Sequence, residues 1–134
     1  MGKLLAERLK KRADFVRAQK GIRRRAAGLT LEICATPEPA AQDGRYRIGF
    51  TASRKVGDAV RRNRAKRRLR AAARAILPQQ AVERTDYVLI ARPDTLTRPF
   101  CDLVKDLAQS LAAAHLKLTA AGRGGVGESN NALG

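Results

Sequence analysis

Seven of the ten residues from Arg61 to Arg70 are positively charged, in the run RRNRAKRRLR. On a helix these side chains form a dense cationic surface, and a nucleic-acid backbone is the biological surface that matches this charge density. The one uncharged polar residue is Asn63, whose amide can bond a base edge, orient neighbouring guanidinium groups or simply occupy a polar helical position. The run therefore predicts a surface that binds phosphates.

The positive charge is confined to one half of the chain. The net charge is +16, and residues 1–74 hold 22 Lys and Arg against 6 Asp and Glu, whereas residues 75–134 hold 6 of each. Like charges gathered in this way repel one another unless a partner neutralises them. The distribution favours a binding face over a uniformly solvated surface.

Residues that could catalyse a reaction are few and scattered. His115 is the single histidine, and Cys34 and Cys101 are isolated thiols, so the ligands for a zinc site are lacking. The glycines near the end of the chain lack the spacing of a phosphate-binding loop. The acidic residues show no paired spacing typical of a metal-dependent nuclease; those considered are Asp58, Asp86, Asp94, Asp102 and Asp106. The sequence predicts a binding protein with no catalytic residue and no metal site.

The elements that must position the basic run follow from hydrophobic periodicity. The pattern predicts an α+β domain in which helices pack on a small sheet. A single RNA-binding domain is expected over residues 1–119, with a flexible segment at 1–11 and a disordered Gly-rich tail at 120–134. The predicted elements are a helix at 12–20, a basic loop at 22–28, two half-buried strands at 29–35 and 45–52 paired as an antiparallel hairpin, the basic helix at 59–76 ended by Pro78, a central strand at 86–92, and a last helix capped by Thr97.

The basic helix is predicted to be two-sided. Its apolar side should pack on the sheet, and Asp58 should stabilise its N-terminus through the helix dipole. The predicted inward residues are Ala65, Leu69, Ala72, Ala73 and Ile76. The predicted outward residues are Asn63, Arg64, Arg67, Arg70 and Arg74.

A uniformly cationic face suits folded RNA better than the DNA major groove, where base-reading positions mix several polar types. The inward residues are too small for lipid insertion, so no membrane binding is expected, and no obligate protein partner is predicted. Two reduced cysteines and the lack of a secretory signal predict a cytoplasmic protein. The five aromatic residues, expected in the core, are Phe15, Tyr46, Phe50, Tyr87 and Phe100. A ribosomal protein or general RNA chaperone, and an autonomous metal-dependent nuclease, remain as alternatives.

One segment adds a specific resemblance. The run IGFTASRKVGDAVRRNRAKRRLRAAAR, residues 48–74, resembles the signature of the protein subunit of bacterial ribonuclease P, whose centre is the Arg-Asn-Arg triplet at residues 62–64. RLKKRADF at residues 8–15 is similar to the family's entry into its first helix, and DYVLIAR at residues 86–92 to its last strand. The resemblance covers residues 8–118 in the family's order.

The resemblance implies a fold like the second domain of ribosomal protein S5, with a left-handed βαβ crossover. It also implies a function, because in this family a catalytic RNA subunit removes the 5′ leader from precursor tRNA with Mg²⁺ bound mainly by the RNA. The protein binds that RNA and the leader.

Carried over by position, the implied RNA-subunit contacts are Arg54, Lys55, Arg62, Asn63, Arg64, Lys66, Arg67 and Arg70. The implied leader cleft includes Arg12, Phe15, Gln19, Thr51 and Ser53. Two residues depart from the family's pattern in the cleft. Gln19 stands where many members have an aromatic residue, and Glu32 lies in a strand where an aromatic or neutral residue is common, so weaker stacking with leader bases is expected.

Overall fold

A computed structural model describes residues 4–122. Within that range the chain forms five strands and three α-helices. The strands are β1 (Leu5–Arg8), β2 (Ile22–Arg25), β3 (Leu29–Ala35), β4 (Arg45–Ala52) and β5 (Thr85–Ala91). The helices are α1 (Arg12–Gln19), α2 (Ala59–Gln80) and α3 (Phe100–Gly122).

The five strands form one mixed sheet in the order β1-β4-β5-β3-β2. β5 lies at the centre, parallel to β4 and antiparallel to β3. Its apolar run from Tyr87 to Leu89 is almost fully buried, as expected for a strand covered on both faces. The α+β class and the central position of this strand are confirmed.

The two faces of the sheet are covered unequally. One face carries the main core, where Leu31 and Leu89 pack with Leu69 of α2 and Leu107 of α3. The other face is covered by the short helix α1, and its small cluster contains Leu9, Ala18 and Val88. Because α1 has only eight residues, part of this second face remains open.

Helix α2 connects the parallel strands β4 and β5 and is two-sided as predicted. The side chains of Ala65, Leu69, Ala72 and Ala73 are buried. Ile76 is only half-buried, and Leu77 completes the buried row. Asp58 caps the helix by accepting a hydrogen bond from the backbone N–H of Arg61 at 3.0 Å. The hand of the crossover stays a prediction.

The predicted hairpin between the strands at 29–35 and 45–52 is wrong. β3 and β4 do not pair, because β5 lies between them and hydrogen-bonds to both. A strand that is apolar on both sides needs a neighbour on each edge, and the nine-residue connection 36–44 is long enough to let it enter. β3 is also buried on both faces, including Thr30 and Glu32, and is not the half-buried strand predicted.

The structure corrects several predicted boundaries. Residues 5–8 of the segment expected to be flexible pair with β4, and residues 22–25 of the expected basic loop form the edge strand β2. Both strands have four residues, too few to show periodicity. Pro78 does not end α2, because it lies in the last turn, where it removes one helical hydrogen bond.

The last helix differs from its prediction at both ends. It begins at Phe100 and continues to Gly122, so residues 120–122 of the expected tail are helical. Thr97 ends a short 3₁₀ turn and is not the cap, and Phe100 is exposed. Residues 123–134 of the predicted tail and residues 1–3 lie outside the described range.

The two sides of α2 predict opposite effects of the same kind of substitution. Leu69→Ala removes a fully buried side chain from the main core and should lower the free energy of unfolding by about 2–5 kcal/mol. Urea denaturation followed by circular dichroism measures the change.

Arg67→Ala is the matched control on the exposed side of the same helix, and it should change the free energy of unfolding by less than about 0.5 kcal/mol. Equal effects of the two substitutions would contradict the sidedness of α2.

Candidate RNA interface

The solvent side of α2 is a row of exposed cations, which we call the basic face. It consists of the exposed side chains of Arg61, Asn63, Arg64, Arg67 and Arg74 with the half-buried Lys66 and Arg70 at its border. The helical repeat brings Asn63, Arg64, Arg67, Arg70 and Arg74 to the side opposite the buried row that ends at Leu77, and Arg61 is exposed in the first turn of the helix. A rigid surface of this kind can neutralise several phosphates at once.

A turn before α2 adds two more exposed cations. Arg54 and Lys55 lie in a 3₁₀ turn that is held to the protein by the buried Val56. Gly57 follows with φ +135°, which L side chains rarely adopt. Its carbonyl accepts a hydrogen bond from Arg62 Nη1 at 2.9 Å, so Arg62 ties this turn to the first turn of the helix.

Two further charges in the basic run have internal contacts. Arg68 donates from Nη1 to the carbonyl of Thr95 and from Nη2 to that of Arg98, at 2.5 and 2.7 Å, and so fastens the segment before α3 to α2. Arg70 lies over the ring of Phe50, 5.4 Å from its centroid. Of the predicted RNA contacts, Arg70 is therefore the one placed beside the sheet.

An open cleft of about 370 Å³ lies on the second face of the sheet, beside α1. We call it the α1 cleft. Of the predicted leader residues it brings together Arg12, Phe15, Gln19 and Thr51, whereas Ser53 is exposed beyond the end of β4 and does not line it. The lining that was not predicted is Lys10, Glu32, Phe50, Val88 and Ile90.

Some of these additional residues follow from register. Val88 and Glu32 lie side by side with Gly49 on three neighbouring strands and share one face of the sheet, whereas Phe50, next to Gly49, packs against the main core on the other face. Alternation along each strand could have grouped residues within that strand. The order of the strands, which joins the groups into one floor, could not be read from the chain.

Phe15 is seated on the sheet at a glycine. A Cβ at Gly49 would lie 2.6 Å from the Phe15 ring, so any larger residue there would displace the ring. Phe15 is half-buried and lines the α1 cleft, whereas Tyr46 and Tyr87 are buried in the main core and Phe50 packs against it. The prediction that all five aromatic residues are core residues is therefore wrong for Phe100, which is exposed, and holds only in part for Phe15.

A buried ionic network fixes α1 above the sheet. Arg47 of β4 donates two hydrogen bonds to Asp86 of β5, at 2.8 and 2.7 Å, and one to Asp14 of α1 at 3.2 Å. Arg17 donates to the same Asp14 oxygen at 2.9 Å. Burial alone would raise the pKa of Asp14, but its hydrogen bonds and the charges of Arg17 and Arg47 lower it overall.

The burial of the Glu32 carboxylate is not offset by comparable hydrogen bonds. Its side chain is 1 % exposed, and Arg23 Nε lies 3.3 Å from Oε2. The Oε2 atom nevertheless accepts no hydrogen bond. Burial raises the pKa of Glu32, and the charge of Arg23 only partly opposes this effect.

The titratable side chains of His115 and Cys34 are half-buried in the fold. Nε2 of His115 lies 2.7 Å from the Tyr87 hydroxyl, and burial lowers the pKa of this histidine. Burial and the nearby Asp86 raise the pKa of the Cys34 thiol to about 11. Among residues 4–122 no group of three or more His, Cys, Asp or Glu side chains could hold a metal ion. No helix in that range is long and apolar enough to cross a membrane.

The fold and these surfaces define a class: a small α+β protein with a basic crossover helix on one face of its sheet and an open cleft on the other. The family model described as Ribonuclease P matches residues 5–115. The chain belongs to this family and is a protein component of the endoribonuclease holoenzyme that acts in tRNA processing.

Curated relatives agree along most of the chain. The ribonuclease P protein component of Ruegeria pomeroyi is 49% identical over 108 residues, covering 80% of this chain and 85% of the relative. That of Caulobacter vibrioides is 42% identical over 129 residues, covering 95% and 83%. The ribonuclease P proteins of Staphylococcus aureus and Thermotoga maritima have similar structures. Their TM-scores are both 0.63, at 27% and 24% identity, covering 80% and 78% of this chain and 94% of each neighbour.

The network around Arg47 predicts that the free energy of unfolding decreases at acidic pH. Because the pKa of Asp14 is lower in the folded state, its ionised form contributes stability above pH 3.8 that is lost as the pH falls through the folded pKa. Asp14→Asn should lower the free energy of unfolding at pH 7 by about 1–3 kcal/mol. Urea titrations between pH 2 and pH 7 should show this difference shrinking below pH 3.8; a constant difference would exclude a role for the charge.

Glu32 predicts a pH dependence of the free energy of unfolding that is opposite to that of Asp14. A raised folded pKa means that stability is fully present below pH 4.5 and falls as the pH rises through the folded pKa. At pH 7, Glu32→Gln should therefore increase the free energy of unfolding, by about 1–3 kcal/mol. The same titrations measure it, with Glu38→Gln as control at an exposed carboxylate. A less stable Glu32→Gln protein at pH 7 would contradict the prediction.

Proposed function

We propose that this chain binds the catalytic RNA of ribonuclease P through the basic face and the 5′ leader of precursor tRNA through the α1 cleft. The bound RNA then removes the leader by hydrolysis. The observation that carries the proposal is the placement of an exposed cationic helix and an aromatic-lined cleft on opposite faces of one sheet. Such a protein can hold both RNAs at the same time, in the cytoplasm, where we expect it to act.

The basic face suits an RNA backbone because the helix that carries its cations is fixed to the core while the charged side chains are exposed. Leu69 and Ala72 fix the helix to the core, whereas Arg64 and Arg67 on the other side are exposed. Arg54 and Lys55 extend the same basic surface beyond the helix N-terminus. Contacts of this kind provide affinity and orientation without reading sequence.

The α1 cleft suits a single strand. Phe15 offers a half-buried ring for base stacking, and Lys10 and Arg12 supply positive charge beside it. Stacking on aromatic side chains together with a cationic groove is the usual way proteins hold single-stranded nucleic acid. Gln19 also lines the cleft, and the weaker stacking expected from it stays a prediction.

Mg²⁺ belongs to the RNA in this proposal. The residues present do not fit a magnesium site, because the described acidic side chains form no group of three, and the buried Asp14 and Asp86 are occupied by Arg47. No step of the reaction is therefore assigned to a metal on this chain. The protein instead screens repulsion between the two RNAs.

Reconstitution tests the proposal directly. The chain should stimulate cleavage of precursor tRNA by its RNA subunit at low Mg²⁺ and should favour precursor over mature tRNA. Rates are measured with RNA alone, protein alone and both together. A general RNA chaperone would bind unrelated structured RNAs equally without affecting cleavage, and an autonomous nuclease would cleave without RNA; either result would overturn the proposal.

Salt dependence tests the basic face. Arg67→Ala should reduce the slope of log K against log[salt] for binding to the RNA subunit by about 0.7–0.9, the value for one phosphate contact. Filter binding at several salt concentrations measures the slope.

Two variants control this experiment. Lys105→Ala removes the same charge from an exposed position on α3 and should leave the slope unchanged. Asn63→Ala removes no charge and should impair function with little change in slope. An unchanged slope for Arg67→Ala would show that this side chain does not reach a phosphate.

A further inference from the structure

The floor of the α1 cleft contains a carboxylate whose hydrogen-bonding capacity is unused. Glu32 is 1 % exposed and lines the cleft, and its Oε2 atom accepts no hydrogen bond. Arg23 lies 3.3 Å away without hydrogen-bond geometry and is half exposed itself. A buried carboxylate oxygen that has an ion pair but no hydrogen bond destabilises a protein unless a ligand supplies the missing donor.

The charges around the cleft determine which part of a nucleic acid can meet this carboxylate. A phosphate is repelled by Glu32 and attracted by the exposed side chains of Lys10 and Arg12. A strand in the cleft would therefore place its backbone toward these two residues and its bases toward the floor. The ring of Phe15 lines the same cleft and is available to stack on such a base.

We propose that Glu32 is a specificity residue that selects guanine at one position of the leader. This inference rests on the proposed binding of the leader in the α1 cleft. The carboxylate accepts hydrogen bonds from N1–H and the N2 amino group of the base, which lie next to each other on its Watson–Crick edge.

The chemistry of the other bases explains the choice. A carboxylate offers only acceptors, so it favours bases with N–H donors and disfavours carbonyl oxygens. Cytosine and adenine present one amino group beside a ring nitrogen that is itself an acceptor. Uracil presents one N–H between two carbonyl oxygens that repel the carboxylate. Guanine alone presents two adjacent donors.

The experiment uses the reconstituted holoenzyme and precursor tRNAs whose leader carries guanosine, inosine or uridine at each position in turn. Inosine differs from guanosine only by the missing N2 amino group. At one leader position, kcat/KM should fall about tenfold from guanosine to inosine. It should fall between about fivefold and a hundredfold from guanosine to uridine. The RNA subunit alone should show neither difference.

Two variants separate recognition from structure. Glu32→Gln keeps the size of the side chain but replaces one acceptor by a donor, and it should reduce the guanosine-to-inosine ratio to less than twofold. Glu38→Gln makes the same change at an exposed carboxylate outside the α1 cleft and should leave the ratio as in the original protein.

The outcomes distinguish this inference from the proposed function. A uniform loss in Glu32→Gln for all leaders, or no discrimination at any position, overturns the selection of guanine. If Phe15→Ala still weakens binding only for precursors with a leader, leader binding in the cleft stands without base selection. If leader length changes kcat/KM no more for the holoenzyme than for the RNA subunit alone, the proposed binding of the leader is itself wrong.

Discussion

The Arg47 guanidinium joins the two parts of the molecule that make the α1 cleft. It binds Asp86 on the central strand with two hydrogen bonds and Asp14 on α1 with a third. Helix α1 is short and weakly amphipathic, with only Asp14 and Ala18 buried, so apolar packing alone gives it little hold on the sheet. The position of Phe15 above Gly49, and with it the shape of the cleft, depends on this buried ion network.

The arginines of the chain fall into two groups. Arg47 and Arg68 are internal connectors whose guanidinium groups satisfy carboxylates or backbone carbonyls. Arg64 and Arg67 are exposed and remain available for phosphates. A planar group with five donors serves both purposes, because it can bridge elements inside the protein and bind an anion outside it. The high net charge is therefore partly structural and partly a binding surface.

Much of the fold and of the basic face could be predicted because they depend on local pattern. The 3.6-residue period of α2 separated Leu69 from Arg67, and the continuous apolar run around Val88 indicated a central strand. The short strands β1 and β2 were missed because four residues show no period. The hairpin of β3 and β4 was predicted wrongly, because strand pairing depends on competition among all strands and not on neighbours in sequence.

The sequence by itself determined that the chain carries a cationic helix, a small aliphatic core and the triplet Arg62-Asn63-Arg64, since charge, composition and motif are local properties. Only the tertiary structure decided that Glu32 and Val88 line one cleft with Phe15. These residues come from β3, β5 and α1, and they meet because β5 is the neighbour of β3 and Arg47 holds the helix above the sheet. Such proximity depends on strand order and side-chain packing, which no local pattern in the chain records.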